Sequence, residues 1–339
     1  MLLSRFFDEI STHHSERGYI IDARTFRLPG GESCAEILYK ALGYVPEFVV
    51  RLRQGCGSKP LLIFDRKTKE KMKLYWARTR EAARNIVEIT SLLEAKKVPI
   101  PKVYRQIGPY ILSQWIEGVP LRKQLPFRYA KAMARYQSRF HGASVVSPID
   151  SSLYVQRILS LFQKKRSVWL SGMSKTDVDI LYSLLREEAP VSLAKGIRHS
   201  DIRTYNLVKS KDGSIYSIDN ENLRRGVGFE YDIFKTAYFT FRKTPWHIPR
   251  YLIESLYFIP HNTILAGWNF WNLLVYGASF LFEIEIKGGK NAEIYRKILK
   301  EAASLREKSS SKGDIFFQKS LYNAIFFLEI GERGIITRS

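Results

Sequence analysis

The period of apolar and polar positions changes once along this chain. Over residues 47–76 it is two, and three strands are predicted: Phe48-Val49-Val50-Arg51-Leu52, Leu61-Leu62-Ile63-Phe64 and Lys71-Met72-Lys73-Leu74-Tyr75-Trp76. The third places Lys71, Lys73 and Tyr75 on one face and Met72, Leu74 and Trp76 on the other. Gln54-Gly55-Cys56-Gly57-Ser58 and a charged turn over 65–70 separate them. A helix is predicted over 79–95, with Ile86, Ile89, Leu92 and Leu93 on its apolar face, stopped by Pro99 and Pro101. Residues 110–116 read as a further buried strand, and Glu117-Gly118-Val119-Pro120 as the turn leaving it.

Beyond that turn the period lengthens to that of helices, predicted over 126–142, 154–170 and 175–188. The remainder is mostly helical, with a polar break at Lys308-Ser309-Ser310-Ser311-Lys312-Gly313 and no internal repeat. Residues 1–46 read as an N-terminal extension with one or two helices, one of them over 34–42. The order is therefore a small β-rich lobe followed by a large helical one. A chain of 339 residues exceeds the size at which a single core stops growing, which agrees with two lobes.

Between the last of those helices and a hairpin turned at Lys211-Asp212-Gly213 lies the run that carries chemistry. It reads His199-Ser200-Asp201-Ile202-Arg203-Thr204-Tyr205-Asn206-Leu207, and Ile218-Asp219-Asn220-Glu221 follows. An acceptor-only carboxylate, an amide five residues on and a second carboxylate at a strand end suit a hydroxyl proton and a hard cation beside phosphate. Phosphoryl transfer requires little else beyond positive charge on the phosphates. A nucleotide would lie between the lobes, where pockets preferentially form.

The formal net charge of +21 would suit an anionic partner, whether nucleic acid, an acidic substrate or an anionic membrane face; the alternative is a solvated basic surface that keeps the protein soluble. The basic residues are scattered and no nucleic-acid motif occurs, which argues against nucleic acid. Cys34 and Cys56 are too few for a disulfide framework or a zinc site, so a reducing, cytoplasmic compartment is expected. The start MLLSRFFDEI has an acidic residue where a signal peptide needs its apolar run. The uncharged stretch 263–282 nearly reaches membrane-spanning length, but its two Asn residues favour a buried or interfacial helix.

With these features in place, the chain resembles the kinase-like phosphotransferases, in the branch of aminoglycoside, choline and lipopolysaccharide kinases. The residues that carry the resemblance are Arg139-Phe140-His141-Gly142, His199-Ser200-Asp201, Asn206-Leu207-Val208, Ile218-Asp219 and Glu230-Tyr231-Asp232-Ile233, and it runs over about residues 47–239. It implies an α+β, protein-kinase-like bilobal fold: a small antiparallel β lobe plus a large, mainly helical lobe. The expected division is extension 1–46, nucleotide-binding lobe 47–117, and catalytic and substrate lobe 118–339. It further implies ATP and Mg²⁺, with Asp201 as the catalytic residue, Asn206 and Asp219 as metal ligands, His199 as a buttress of the loop and Asp232 as a structural support.

Lys73 is favoured over Lys71 to clamp the phosphates, with Glu88 or Glu81 of the following helix as its ion-pair partner. Gly55 and Gly57 either cover the phosphates or form an ordinary hairpin turn, and Gln114 to Ile116 would offer backbone groups to adenine. Two departures stand out: Asn220 replaces a common aromatic residue, and Arg203 replaces a common histidine. The stretch from Asp219 to Asp232 is too short for a protein-kinase activation segment and no A-P-E follows, which points to a small-molecule or glycan acceptor. Arg203, with Arg224 and Arg225, tilts that acceptor toward an anion such as an acidic sugar of a lipopolysaccharide core, met peripherally at the inner membrane face. An aminoglycoside or choline-type kinase and a catalytically inert binding module are the alternatives.

Overall fold

Strand-forming β-branched and aromatic residues crowd the first third of the chain, and they build its sheet. The computed structural model describes residues 19–52, 60–65, 68–121, 126–144, 148–199, 201–241, 251–252, 255, 267–289 and 292–309. Its first elements are β1 (Tyr19–Ile21), α1 (Cys34–Leu42), β2 (Phe48–Arg51), β3 (Leu61–Phe64), β4 (Lys71–Trp76) and α2 (Arg80–Ala95). Next come β5 (Val103–Ile107), β6 (Tyr110–Gln114), β7 (Gly118–Pro120), α3 (Pro126–Gly142), β8 (Pro148–Asp150), α4 (Ser152–Lys164), α5 (Arg166–Leu170) and α6 (Lys175–Glu187). The last are β9 (Ser192–Arg198), β10 (Leu207–Ser210), β11 (Ile215–Ser217), β12 (Arg224–Val227), α7 (Glu230–Phe241), α8 (Trp268–Ile286) and α9 (Ala292–Ser309). The chain divides into two compact units, one of residues Met1–Leu125 and Ile197–Arg225, the other of Pro126–Gly196 and Gly226–Ser339.

In the first unit six strands form an antiparallel sheet in the order β1-β2-β3-β4-β6-β5. The alternation in β4 sorts its side chains as its sequence indicates. Met72 and Leu74 join Val49, Leu61, Ile63, Leu112 and the α1 residues Ile37, Leu38 and Ala41 in one apolar layer, against which Trp76 packs. A fully buried side chain of this size contributes roughly 1.5–3 kcal/mol. On the opposite face Val50, Leu52 and Leu62 form a smaller cluster with Phe64 and Trp115. Burial pushes the thiol of Cys34 up to about 12, so it packs as an inert hydrophobe.

Residues 19–42, expected as part of a helical extension, instead contribute an edge strand as well as a helix: β1 pairs with β2, Ile20 opposite Val50. The helix expected over 79–95 is α2, capped by Thr79 Oγ1, which accepts from the Ala82 N–H at 3.0 Å. Strand β5 has no counterpart in the sequence reading, because the two prolines before it mask its start.

A second correction bears directly on the site. Residues 118–120, expected as a turn, form β7 and pair with β10, Pro120 opposite Val208 and Gly118 opposite Ser210. A Cβ at Gly118 would lie 2.3 Å from the Lys209 carbonyl oxygen, so only glycine permits this approach. The expected hairpin at Lys211-Asp212-Gly213 joins β10 to β11, with Gly213 at φ +85°.

The second unit is mostly helical. Helix α8 packs on α9, α7 and α6, and α4 on α6. The helix expected over 154–170 is broken at Lys165, whose N–H is shared between the Leu161 and Phe162 carbonyls. The break lets Trp169 stack on Phe162 (4.7 Å between centroids) and Phe280 (5.3 Å). The described part of the uncharged stretch 263–282 falls in the N-cap Gly267 and α8, where Phe270, Trp271, Leu273, Val275, Tyr276 and Phe280 are buried. Among the described residues no helix is long and apolar enough to cross a membrane.

Candidate active site

Strand pairing brings together residues that are far apart in sequence. Leu207 lies opposite Ser217, and the Ile218 N–H donates to the Asn206 carbonyl at 2.9 Å, so Asn206 and Asp219 sit across adjacent ends of β10 and β11. From β4, Lys73 reaches the same place: its Nζ donates to the Ile218 carbonyl at 2.8 Å. Asp201, Asn206, Asp219 and Lys73 all belong to the first unit.

Asp201 is the centre of the polar network. Its Oδ2 accepts from Asn206 Nδ2 at 2.8 Å, and Arg203 Nε lies 2.7 Å from its Oδ1 as an ion pair. A carboxylate has about four lone-pair sites, so it can accept a further donor such as a substrate hydroxyl. Arg203 is steadied in turn by Tyr205, to whose hydroxyl it donates at 2.9 Å.

Behind Asp201 lies a buried lock. The Asp201 N–H donates to His199 Nδ1 at 3.3 Å, which leaves Nε2 to carry the proton of a neutral imidazole, a tautomer assigned from the network. Nε2 is 3.1 Å from Asn220 Oδ1 and 2.8 Å from Ser217 Oγ, and the Ser217 hydroxyl donates to Asn220 Oδ1 at 2.9 Å. Asn220 Nδ2 donates to the Ser217 carbonyl at 3.0 Å. Asn220, a departure in sequence, thus ties the segment bearing Asp219 to the segment bearing Asp201. Replacing it with leucine is expected to lower the unfolding free energy by about 1–3 kcal/mol, read by denaturant titration, by stranding buried donors, and to lower turnover with it. Wild-type stability in that variant would show that the lock carries no load.

The donor set also admits a cation. The Asn206 amide nitrogen is committed to Asp201, by bonds to its carbonyl (3.0 Å) and to Oδ2, so the amide oxygen faces away with no partner among the described residues. The half-buried Asp219 carboxylate likewise forms no hydrogen bond or ion pair among them. Two oxygen donors at adjacent strand ends fit Mg²⁺, which usually takes one or two protein ligands and completes its shell with water and substrate phosphate. Among the described residues no group of three or more His, Cys, Asp or Glu side chains forms a metal cage.

Next to these groups the first unit has a cleft lined by Lys73 and Ile218 and by the apolar side chains of Leu52, Trp115, Ile116 and Val208. The Gln114 N–H donates to the Lys102 carbonyl at 2.8 Å and the Trp115 N–H to the Lys71 carbonyl at 3.2 Å, both within the protein. Ile116 differs: its N–H and C=O have no partner among the described residues and remain for a ligand.

The lysine pairing expected from sequence is not what the structure has. Glu81 and Glu88 are exposed on α2, and neither forms an ion pair with Lys73 among the described residues. Lys71 pairs with Glu117 instead, at 2.7 Å, and that hydrogen bond holds the Glu117 carboxyl below the usual carboxylate range. Gly55, Gly57 and Ser200 lie outside the described residues. In the second unit His141 is buried and stacks on Phe229 at 5.0 Å, and Asp232 is buried in the first turn of α7. Ser217 and the pairing of Glu117 with Lys71 were not evident from the sequence. Their only signals were proximity to Asp219 and a place just after the last sheet strand.

The model of the phosphotransferase enzyme family matches residues 47–246, more than half of the chain, and the chain belongs to that family. Its fold is the kinase-like α+β fold of those enzymes. An aminoglycoside phosphotransferase of Alicyclobacillus acidocaldarius aligns with 12% identity over 84% of this chain and 90% of its own, with a TM-score of 0.50. A proposed fructosamine-3-kinase of Thermobifida fusca aligns with 15% identity over 80% and 96%, with a TM-score of 0.53. A thermostable mutant of the aminoglycoside phosphotransferase APH(4)-Ia gives 14% over 82% and 100%, with a TM-score of 0.52. No curated protein sequence matches the chain. The chain is a phosphotransferase.

Proposed function

We propose that this phosphotransferase moves the γ-phosphoryl group of ATP to a hydroxyl of a small molecule, with Asp201 as the group that receives the hydroxyl proton. The observation that carries the reading is the convergence of Asp201, Asn206, Asp219 and Lys73 at adjoining strand ends beside an apolar cleft. The base would stack among Leu52, Trp115, Ile116 and Val208 and meet the peptide groups of Ile116. Lys73 would leave the Ile218 carbonyl for the phosphates, exchanging one acceptor for a more charged one. Asn206 and Asp219 would hold Mg²⁺, which when bound supplies charge neutralisation on the phosphate oxygens. The acceptor oxygen then bonds to the γ-phosphorus, its proton passes to Asp201 and ADP leaves.

The finer part of the reading concerns the acceptor, which we take to be anionic: an acidic or phosphorylated sugar. Arg203, ion-paired to Asp201, places a guanidinium beside the reacting hydroxyl, where it can also bind a carboxylate or phosphate on the acceptor. The net charge of +21 supports the same sign of partner, including an acidic glycan presented at an anionic membrane face. The test is phosphate transfer from labelled Mg-ATP to a panel of neutral sugars, aminoglycosides, choline, uronic acids, sugar phosphates and lipopolysaccharide core oligosaccharides. Transfer to the acidic members, weakened by Arg203→Met, is expected. Transfer confined to neutral or cationic alcohols refutes the anionic acceptor and leaves the phosphotransferase standing.

A further inference from the structure

Among the described residues no glutamate pairs with Lys73, and something else must aim it. In a strand its side chain shares a face with those of Lys71 and Tyr75. Lys71 is drawn off by Glu117, whereas Tyr75 is buried and its ring lies under the Lys73 ammonium, 5.1 Å from Nζ to centroid. Backbone pairing fixes that ring in place: Tyr75 sits opposite Ile111, and Lys73 opposite Leu62 and Ser113 in the centre of the sheet. Burial, followed by the charges of Asp219 and Glu221, pushes the Tyr75 phenol above its ordinary value, so it stays a neutral surface for the ammonium.

We propose that Tyr75 is the positioning residue for Lys73: its ring, with the Ile218 carbonyl, holds the ammonium toward Asp219 in the role expected of a helix glutamate. The proposal rests on the nucleotide reading above. A π-face has an advantage over a carboxylate here. It orients the cation without neutralising it, so the full charge of Lys73 is available to the phosphates.

The experiment measures affinity for Mg-ATP and for adenosine, on the full chain, by titration calorimetry. Adenosine reports the cleft without the phosphates that Lys73 would meet. Tyr75→Leu is expected to weaken Mg-ATP by about three- to tenfold, the worth of one partly desolvated cation–π contact, with adenosine unchanged. Tyr75→Phe, which retains the ring, is expected to bind both as the wild type does. In a Lys73→Met background the leucine substitution is expected to have no further effect, since the two act as one unit. The exposed double variant Glu81→Gln/Glu88→Gln is expected to bind Mg-ATP normally, and it keeps the test decisive should Tyr75→Leu not fold.

Equal weakening of adenosine and Mg-ATP, an additive loss in the Lys73→Met background, or weakened Mg-ATP in the double glutamine variant would each overturn the role of Tyr75. A wild-type chain that binds no Mg-ATP overturns the nucleotide reading itself, and this proposal with it.

Discussion

Asp201→Asn is expected to fold normally and to lose transfer by about 10²–10⁴-fold, the usual worth of a positioned general base. The asparagine can still present an oxygen to Asn206 Nδ2, so that bond survives. Its amide nitrogen, however, faces Arg203 Nε, donor against donor, where the carboxylate has an ion pair at 2.7 Å. More important, the substituted amide cannot take up the hydroxyl proton. Nucleotide affinity should change little, because in the proposed mechanism Asp201 meets the acceptor rather than the base. The measurement is ADP release in the presence of a working acceptor, alongside a thermal melt. Wild-type transfer in a stable Asp201→Asn protein would remove Asp201 from the reaction and with it the proposed mechanism.

Asp219→Asn is expected to have an effect of similar size through a different term. In the proposed mechanism a metal held by Asn206 and Asp219 would stabilise developing phosphate charge by several kcal/mol, which corresponds to about 10³-fold or more in rate. Replacing Asp219 leaves two amides to hold a divalent ion, and Mg²⁺ binds neutral oxygens weakly without a carboxylate. Chelation with EDTA should abolish transfer in the wild type, and added Mg²⁺ should restore it. Metal affinity can be read independently of turnover, by electron paramagnetic resonance of Mn²⁺ titrated into the protein with ATP. Asp219→Asn should leave the Mn²⁺ largely unbound. A variant that binds Mn²⁺ as the wild type does would show that Asp219 is not a ligand.

Much of the site was legible in sequence because its donors are clustered there. Asp201 and Asn206 lie on one loop, and Asp219 follows one hairpin later, a turn announced by Asp212-Gly213. Local chemistry of that kind survives without knowledge of the fold. The lysine pairing did not, because α2 is amphipathic and either face of such a helix can carry a glutamate. The apolar face legible in sequence is the one turned inward, with Ala83, Ile86, Ile89 and Leu93 on it, and only the tertiary structure shows that Glu81 and Glu88 lie outside and do not reach Lys73. Asn220 was visible as an unusual residue, yet its bonds to His199 and Ser217 were not.

The sequence by itself determined the strands and helices with clear periods, the spacing of the oxygen donors, and the faces of β4 on which Lys73 and Tyr75 lie. Each of these is a property of neighbours along the chain. The tertiary structure alone decided that Gly118–Pro120 pairs with Val208–Ser210, and that Lys73 reaches the carbonyl beside Asp219. Those contacts join segments far apart in sequence through backbone groups common to every residue. Ile218 contributes a carbonyl oxygen, and no side-chain pattern marks which carbonyl a distant lysine will find.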